Sequence, residues 1–276
     1  MTDTRTDPAP QTAAKSRFGN FIWYELITPD PTAAKAFYDA VVGWNIEPEP
    51  AGEMDYRMIT RSDGGNSGGV LRLTDDMASN GGRPVWLGYL NVADVDASIA
   101  AIEADSGSTI MPATDMAGVG RIAMIADPQG APIYIMTPAS RADDNATSDV
   151  FSVDQPQHVR WNELATSDQD SAIAFYDRHF GLRQDGAMDM GEMGDYRFLF
   201  KDSVRIGAVM RKPPQLPVSL WSYYIGVDDI DRAATAVSEG GGAIMFGPME
   251  IPGGEYTIVA TDPQGAAFGI VGPRRS

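Results

Sequence analysis

Two glutamates in matching sequence contexts are the first candidates for chemistry. Glu25 follows Trp23 by two positions and Glu163 follows Trp161 in the same way, each within a run of aromatic and branched residues typical of a β-strand. Residues two apart on a strand share a face, so each carboxylate lies beside an indole. Apolar surroundings disfavour the charged carboxylate and raise its pKa toward the range of a general acid or base. We therefore predict Glu25 and Glu163 as catalytic residues.

A second repeated motif offers partners for these glutamates. The pair Tyr56-Arg57 recurs as Tyr196-Arg197. In a catalytic site, the two tyrosines would polarise a substrate carbonyl. The two arginines suggest an alternative, in which each forms an internal ion pair with a glutamate and fixes one strand to the next. The sequence leaves both interpretations open.

Aromatic side chains around the predicted strands are candidates for the wall of a ligand cavity. Their rings would stack on a planar or apolar ligand, although ordinary core packing is the alternative for each of them. The predicted ligand-binding residues are Trp23, Trp161, Tyr89, Tyr134, Trp86, Trp221, Tyr223, Arg57 and Arg197.

These motifs belong to a longer internal repeat. Phe37-Tyr38 returns as Phe175-Tyr176, and Asp-Pro-Gln-Gly follows residue 126 and again residue 261. The spacing between copies changes only across loop-like stretches, as insertions in loops would produce. The chain is therefore predicted to hold two homologous domains. The predicted divisions are a disordered leader at 1–16, domain 1 at 17–138, a polar linker at 139–156 and domain 2 at 157–276.

Within each domain the pattern of strand, helix and further strands occurs twice. Asp30 can cap a helix, Pro31 suits its first turn, and Gly43 ends it. The pattern then restarts, with a strand predicted at 85–92 and a helix at 94–104. Four such modules therefore make up the chain.

The order of these motifs resembles the glyoxalase/bleomycin-resistance/dioxygenase superfamily, also called the vicinal oxygen chelate superfamily. The resemblance rests on Thr28-Pro29-Asp30, on Phe37-Tyr38, on the closing glycine and on the repeated Asp-Pro-Gln-Gly. It implies an α+β fold of tandem vicinal oxygen chelate domains. In that family, two βαβββ modules form a curled, incomplete barrel around a cavity.

The resemblance also implies where metal ligands would lie. Metal-dependent members carry a His or another ligand on the first strand of each module and a Glu on the last. By spacing, those positions hold Trp23, Leu87, Tyr134, Trp161, Ser222 and Gly269 in this chain. None of these side chains is a good ligand for Zn, Ni, Mn or Fe. We therefore expect no metal and no other cofactor.

Composition narrows the classes of partner. The net charge of -17 argues against nucleic acid and anionic membranes, because both require a basic face. The chain has no cysteine, which excludes disulfides and thiolate metal sites. No apolar run is long enough to cross a bilayer, so a cytoplasmic location is expected by default. A homodimer is left open, since no interface is readable.

Two functions remain open at this level. The first is a glyoxalase/bleomycin-resistance-like protein that binds a small planar or apolar molecule in a barrel cavity without the usual metal. The alternative is a glyoxalase-type lyase or isomerase that uses Glu25 and Glu163 for proton transfer, or a metal-dependent enzyme if the ligand positions are assigned incorrectly. Fold does not decide between them.

Overall fold

A computed structural model of the protein describes residues 18–139 and 148–275. The expected leader at 1–16 and most of the first half of the expected linker lie outside these described residues. The described chain forms two eight-stranded sheets, one from each half of the sequence.

The first sheet and its helices come from residues 21–138. Its strands are β1 (Phe21–Thr28), β2 (Asn45–Ile46), β3 (Tyr56–Thr60), β4 (Asn66–Arg72), β5 (Val85–Asn91), β6 (Ser108–Met116), β7 (Gly120–Ala126) and β8 (Pro132–Pro138). Its helices are α1 (Pro31–Val42), α2 (Asp75–Ser79) and α3 (Val95–Ala104).

The second sheet repeats this arrangement in residues 159–272. Its strands are β9 (Val159–Thr166), β10 (Leu182–Asp189), β11 (Asp195–Lys201), β12 (Val204–Arg211), β13 (Leu220–Gly226), β14 (Ala243–Glu250), β15 (Tyr256–Thr261) and β16 (Ala267–Gly272). Its helices are α4 (Gln169–Phe180) and α5 (Ile230–Glu239), with a short 3-10 turn at Gly191–Met193.

Each sheet is a curled, unclosed layer built from two modules of its own domain. The order in domain 1 is β2-β3-β4-β1-β5-β8-β7-β6, and domain 2 repeats it as β10-β11-β12-β9-β13-β16-β15-β14. The first strands of the two modules pair antiparallel at the centre, β1 with β5 and β9 with β13. The predicted α+β class of tandem vicinal oxygen chelate domains is confirmed, and neither sheet exchanges a strand with the other.

Local sequence signals explain where the helices begin and end. The Asp30 carboxylate accepts a hydrogen bond from the Ala33 amide at 2.9 Å, and Pro31 occupies the first turn of α1. Gly43 ends this helix with a φ of 83°, a conformation that residues with a Cβ avoid. Domain 2 repeats both devices with Asp168 and Gly181 around α4.

The helices of the two domains pack against each other over a shared apolar core. Helix α1 contacts α5, and α3 contacts α4. Buried polar links cross this boundary: the Tyr38 hydroxyl bonds to Asp262 Oδ2 at 3.1 Å, and the Tyr24 hydroxyl donates to Asn162 Oδ1 at 2.8 Å. The side chains on one face of each sheet are therefore committed to holding the domains together.

Three of the predicted ligand-binding residues lie in this shared core rather than in a cavity. Trp86 donates to the Tyr38 hydroxyl at 2.9 Å, and Trp221 donates to the Tyr176 hydroxyl at 2.8 Å. The Tyr223 hydroxyl accepts a hydrogen bond from the Gly88 amide of the other domain at 2.7 Å. All three are at least 97% buried because strand alternation points them toward the helices. The prediction for Trp86, Trp221 and Tyr223 is corrected accordingly.

The opposite, concave faces of the two sheets differ. In domain 1 a second apolar cluster fills this face around Leu87, Tyr89 and Tyr134. Helix α2, between β4 and β5, contributes Met77 to the same cluster. The corresponding segment of domain 2, residues 212–219, contains no helix. We call domain 1 closed because its own side chains fill the concave face, and domain 2 open because its concave face lacks the counterpart of α2.

The longest helices in the described part of the chain have 12 residues, and none has the length and hydropathy needed to cross a membrane.

Candidate functional site

Glu25 lies at the centre of the concave face of domain 1. Its side chain is buried, with an exposed fraction of 3%. The Tyr89 hydroxyl donates a hydrogen bond to Glu25 Oε2 at 2.9 Å, while Oε1 is buried without a hydrogen-bond partner among the described residues. The hydroxyls of Tyr56 and Tyr134 also act on this carboxyl group. Glu25 is therefore enclosed by phenols rather than by cations.

Burial raises the pKa of Glu25 to about 7. The cause is desolvation of the charged carboxylate, which the hydroxyls of Tyr89, Tyr134 and Tyr56 oppose only in part by stabilising the anion. In turn, burial and the neighbouring carboxylate raise the pKa of Tyr56, so its hydroxyl stays protonated. At neutral pH both forms of Glu25 are populated, as a group that exchanges protons requires.

The aromatic rings of domain 1 form a packed cage around this carboxyl group. Tyr89 and Tyr134 stack with ring centroids 4.2 Å apart and an interplanar angle of 17°. Trp23 donates from Nε1 to the Tyr56 hydroxyl at 2.7 Å. The Tyr56 ring lies directly over Gly69 of β4, where any Cβ would come within 2.2 Å of its hydroxyl oxygen. Glycine at that position lets the phenol lie flat against the sheet.

Glu163 occupies the equivalent place in domain 2 but has different surroundings. The Tyr196 hydroxyl donates to its Oε2 at 2.5 Å, and the Tyr224 hydroxyl donates to its Oε1 at 3.0 Å. Desolvation raises the pKa of Glu163, and these two hydroxyls oppose the rise. Glu163 is partly exposed, whereas Glu25 is buried.

The open face beside Glu163 is walled by partly exposed rings. Trp161 and Tyr196 are nearly parallel, at 9°, with centroids 6.4 Å apart, and Trp161 donates to the Tyr196 hydroxyl at 2.7 Å. Phe198 stands edge-on to Trp161 at 6.3 Å. The Tyr224 ring lies over Gly269, where a Cβ would come within 2.3 Å of it. Glycine at position 269 thus leaves room for the Tyr224 ring on the concave face.

Two equivalent positions on the concave faces carry smaller residues in domain 2 than in domain 1. Leu87 faces Glu25 across β1 and β5, whereas Ser222 faces Glu163 across β9 and β13. Tyr134 pairs with Tyr89 in domain 1, and the same register in domain 2 pairs Gly269 with Tyr224. A leucine and a tyrosine are thus replaced by a serine and a glycine.

The arginines predicted beside the glutamates lie on the other face of their strands. Arg57 bonds to Asp55 at 2.9 Å and to the Pro48 carbonyl at 2.6 Å. Arg197 pairs with Asp170 at the start of α4. Each arginine follows directly after a cavity tyrosine, and adjacent strand residues point to opposite faces. The ion-pair interpretation is therefore wrong, and neither Arg57 nor Arg197 lies with the glutamates at the predicted ligand-binding site.

The donor groups of both concave faces do not fit the metal implied by the fold family. Within residues 18–139 and 148–275, no three His, Cys, Asp or Glu side chains come together as a metal site would require. The positions expected to hold ligands carry Trp23, Leu87 and Tyr134 in domain 1, and Trp161, Ser222 and Gly269 in domain 2. We derive no step through a metal.

The structure brings together most, but not all, of the predicted site residues. Tyr56, Tyr89, Tyr134 and Trp23 surround Glu25. Tyr224, which donates to Glu163 in the place that Tyr89 has in domain 1, is not among the residues predicted from sequence. The repeat itself carries the signal, because the register that matches Tyr89 to Trp23 matches Tyr224 to Trp161.

A separate groove lies away from these residues. It encloses about 1050 Å³ at the domain boundary and is lined in part by Val92, Phe180 and Lys201. The Lys201 ammonium donates to the Phe180 carbonyl at 2.9 Å. None of the predicted site residues lines this groove.

Comparisons with known proteins agree with this architecture. The family model of the Glyoxalase/Bleomycin resistance protein/Dioxygenase superfamily matches residues 20–135 and 155–270. The protein named "Putative glyoxylase CFP32" of Mycobacterium tuberculosis is 33% identical over 260 residues, covering 93% of this chain and 96% of that protein. The anthracycline biosynthesis protein DnrV of Streptomyces peucetius is 27% identical over 267 residues, covering 90% and 91%.

Solved structures show the same fold at low sequence identity. The Mn(II)-bound glyoxalase from Novosphingobium aromaticivorans is 18% identical with a TM-score of 0.62, covering 94% of this chain and 83% of that one. The 2,3-dioxygenase LapB from Pseudomonas sp. KL28 is 14% identical with a TM-score of 0.60, covering 96% and 94%. With both halves matched by the family model, the chain is a glyoxalase-like protein that belongs to the Glyoxalase/Bleomycin resistance protein/Dioxygenase superfamily.

Proposed function

We propose that this protein binds a small planar or apolar molecule on the concave face of domain 2, without a metal. The observation that carries the proposal is the nearly parallel pair of Trp161 and Tyr196 beside Glu163, which is partly exposed where the equivalent Glu25 is buried. Stacked rings bind planar molecules with little loss of conformational entropy, and one carboxyl group flanked by two hydroxyls can orient a polar substituent.

Domain 1 then serves a supporting role in this proposal. Its equivalent space is occupied by the protein's own Leu87, Tyr89, Tyr134 and Met77. A ligand of similar size would have to displace these buried side chains, which costs the free energy of their packing. The open domain is therefore the favoured binding site.

Tryptophan fluorescence and a planar probe test the proposal. One relative is named for anthracycline biosynthesis, so quinizarin, a planar dihydroxyanthraquinone, is a reasonable first probe. Quinizarin should quench the fluorescence of the wild type in a saturable way, and Trp161→Phe should remove most of that change. Trp23→Phe, the matched substitution in domain 1, should leave it nearly intact. Equal loss in both variants, or no saturable quenching, would contradict binding in domain 2.

A second function is favoured by the raised pKa values of both glutamates: burial raises the pKa of Glu25 to about 7, and desolvation also raises the pKa of Glu163, the more exposed of the two. A carboxylate with that pKa suits a lyase or isomerase that removes a proton from the carbon next to a carbonyl and returns it to a neighbouring carbon. Tyr56 and Tyr196 would donate hydrogen bonds to the developing enolate oxygen. Glu25 and Glu163 would be the proton-transfer residues.

The hemithioacetal of methylglyoxal and a simple thiol tests this second function. Turnover would incorporate solvent deuterium at the carbon that exchanges its proton. Glu163→Gln should abolish the exchange while quinizarin binding persists. If exchange survives in both Glu163→Gln and Glu25→Gln, the catalytic interpretation is wrong and the binding interpretation is unaffected.

A further inference from the structure

The rim of the open face in domain 2 carries two arginines in one cross-strand row. Arg183 of β10 pairs with Phe200 of β11, and Phe200 pairs with Arg205 of β12. Directly paired residues on neighbouring strands share a face. Phe200 alternates with the site residues Phe198 and Tyr196, so Phe200 and Arg205 lie on the concave side. Arg183 stands at the end of this row, where it also borders the groove at the domain boundary.

The Arg205 guanidinium stacks over the aromatic wall of the site. Its central carbon lies 4.4 Å from the centre of the Phe198 ring and 5.5 Å from that of Phe200. Phe198 in turn stands edge-on to Trp161. The cation is therefore continuous with the rings of the proposed binding site, and stacking leaves its N–H groups free to point outward.

Neither arginine has a carboxylate partner among the described residues. Arg183 donates to the backbone carbonyl of Asp202 at 3.1 Å, and Arg205 has only its ring contacts. Other arginines of this acidic chain, such as Arg160 and Arg274, do pair with carboxylates. The two guanidinium groups on this rim therefore form no ion pair with a carboxylate of the described residues, which leaves them available to an anionic group of a ligand.

The equivalent row in domain 1 carries no charge. Asn45 pairs with Thr60, and Thr60 pairs with Asn66. These three residues occupy the strand positions that Arg183, Phe200 and Arg205 occupy in domain 2. The arginines thus accompany the open site and are missing from the closed one. This contrast points to a ligand-related role rather than to a requirement of the fold.

We propose that Arg183 and Arg205 bind an anionic group of the ligand, so that the domain 2 site takes planar aromatic carboxylates. The inference rests on the proposed binding function of domain 2. Arginine is suited to a carboxylate because its planar fork matches both oxygens. Arg205 and Ala208, the partner of Glu163, are three positions apart on β12, a separation of about 10 Å along the strand. A ligand of two fused rings is long enough to contact Arg205 at one end and Glu163 at the other.

The test uses a hydroxynaphthoate whose hydroxyl and carboxylate lie at opposite ends of its two fused rings, with its methyl ester as the uncharged comparison. Isothermal titration calorimetry should show that the wild type binds the acid more tightly than the ester. Arg205→Gln should weaken binding of the acid by about tenfold and leave the ester unchanged. Arg183→Gln should act in the same direction with a smaller change, because the Arg183 guanidinium already donates to the Asp202 carbonyl.

Arg72→Gln is the matched control, because Arg72 is an exposed arginine at the end of the equivalent strand β4. It removes the same charge and should change neither affinity. If it weakens the acid as much as Arg205→Gln does, or if the wild type binds ester and acid equally, the anion site is overturned while planar binding stands. If neither compound binds the wild type, the proposed binding function fails as well.

Discussion

The two domains place the same Trp-x-Glu pair on the same central strand, yet they enclose it differently. Around Glu25 the space is occupied by the protein's own leucine, methionine and tyrosine side chains. Around Glu163 a serine and a glycine stand where domain 1 has Leu87 and Tyr134. The segment that corresponds to α2, residues 212–219, contains no helix that could cover the concave face. Duplication thus preserved the frame, while a few large-to-small exchanges decided which copy is accessible.

The difference also extends to electrostatics. Glu25 has one buried oxygen without a hydrogen-bond partner among the described residues, whereas both oxygens of Glu163 accept hydrogen bonds. A buried carboxylate with fewer donors is harder to ionise. The pKa is therefore raised in both domains, with fewer donors to the carboxyl group of Glu25 and more exposure of Glu163.

Truncation of Tyr134 should give the largest effect on stability. Tyr134→Ala removes a buried ring that stacks on Tyr89, and the resulting cavity should lower the free energy of unfolding by about 3–5 kcal/mol. Chemical denaturation measures this change. The control is Tyr224→Ala in domain 2, which removes a half-exposed ring and should cost clearly less. Similar losses for the two variants would contradict the contrast between a closed and an open domain.

Glu25→Gln should change how stability depends on pH. The folded protein holds the Glu25 proton more tightly than the unfolded chain, because its pKa is raised from 4.5 to about 7. The wild type therefore loses stability as pH rises through this window, and the neutral glutamine does not. As pH rises through this window, the free energy of unfolding of the wild type should fall by up to about 3 kcal/mol relative to that of Glu25→Gln.

Denaturant midpoints measured across that pH range test this expectation. Glu163→Gln serves as the comparison, and it should show the same sign with a smaller change, because Glu163 is half-buried and fully hydrogen-bonded. A pH dependence that persists in Glu25→Gln would show that other groups are responsible.

Gly269→Ala should partly fill the concave face of domain 2, as larger side chains do in domain 1. Its new methyl group would lie within 2.3 Å of the Tyr224 ring, so the ring must move away from Glu163. Overpacking of this kind costs about 1–3 kcal/mol. Quinizarin affinity should fall at the same time. Gly52→Ala, at a site with no atoms within 4 Å of the added carbon, is the control and should change neither property.

Met77→Ala should give the smallest effect, about 1 kcal/mol, because this side chain is only partly buried. It removes a contact by which α2 covers the concave face of domain 1. Hydrogen exchange in peptides from β1 and β5 should become faster. Met249→Ala, an exposed methionine of domain 2, should leave exchange unchanged. Unaltered exchange in Met77→Ala would show that α2 does not close domain 1.

Much of the frame could be predicted from sequence because its signals are local. The internal repeat indicated two domains of one fold, and Asp30, Pro31 and Gly43 marked the ends of α1 where the structure has them. The strand expected at 85–92 is β5, which spans Val85–Asn91. The weakly patterned strands β6, β10 and β14 were not predicted, because their exposed residues have no clear alternation of apolar and polar side chains.

Strand alternation held more information about the site than the sequence prediction used. Trp86 and Tyr89 are three positions apart on one strand, so they cannot face the same side, and only Tyr89 lies with Glu25. The same rule separates Tyr56 from Arg57. Applying it to the repeat would have identified Tyr224 as the counterpart of Tyr89.

The sequence alone determined that each domain carries a carboxyl group beside an indole on one face of a strand, since a period of two residues is a property of the extended backbone. Tertiary structure decided which face became a cavity. The helices of one domain pack against those of the other and commit one face of each sheet to the shared core. Burial of the remaining face then depends on how completely side chains from distant strands fill the space above it. A local sequence pattern does not contain that information, because the side chains come from different parts of the chain.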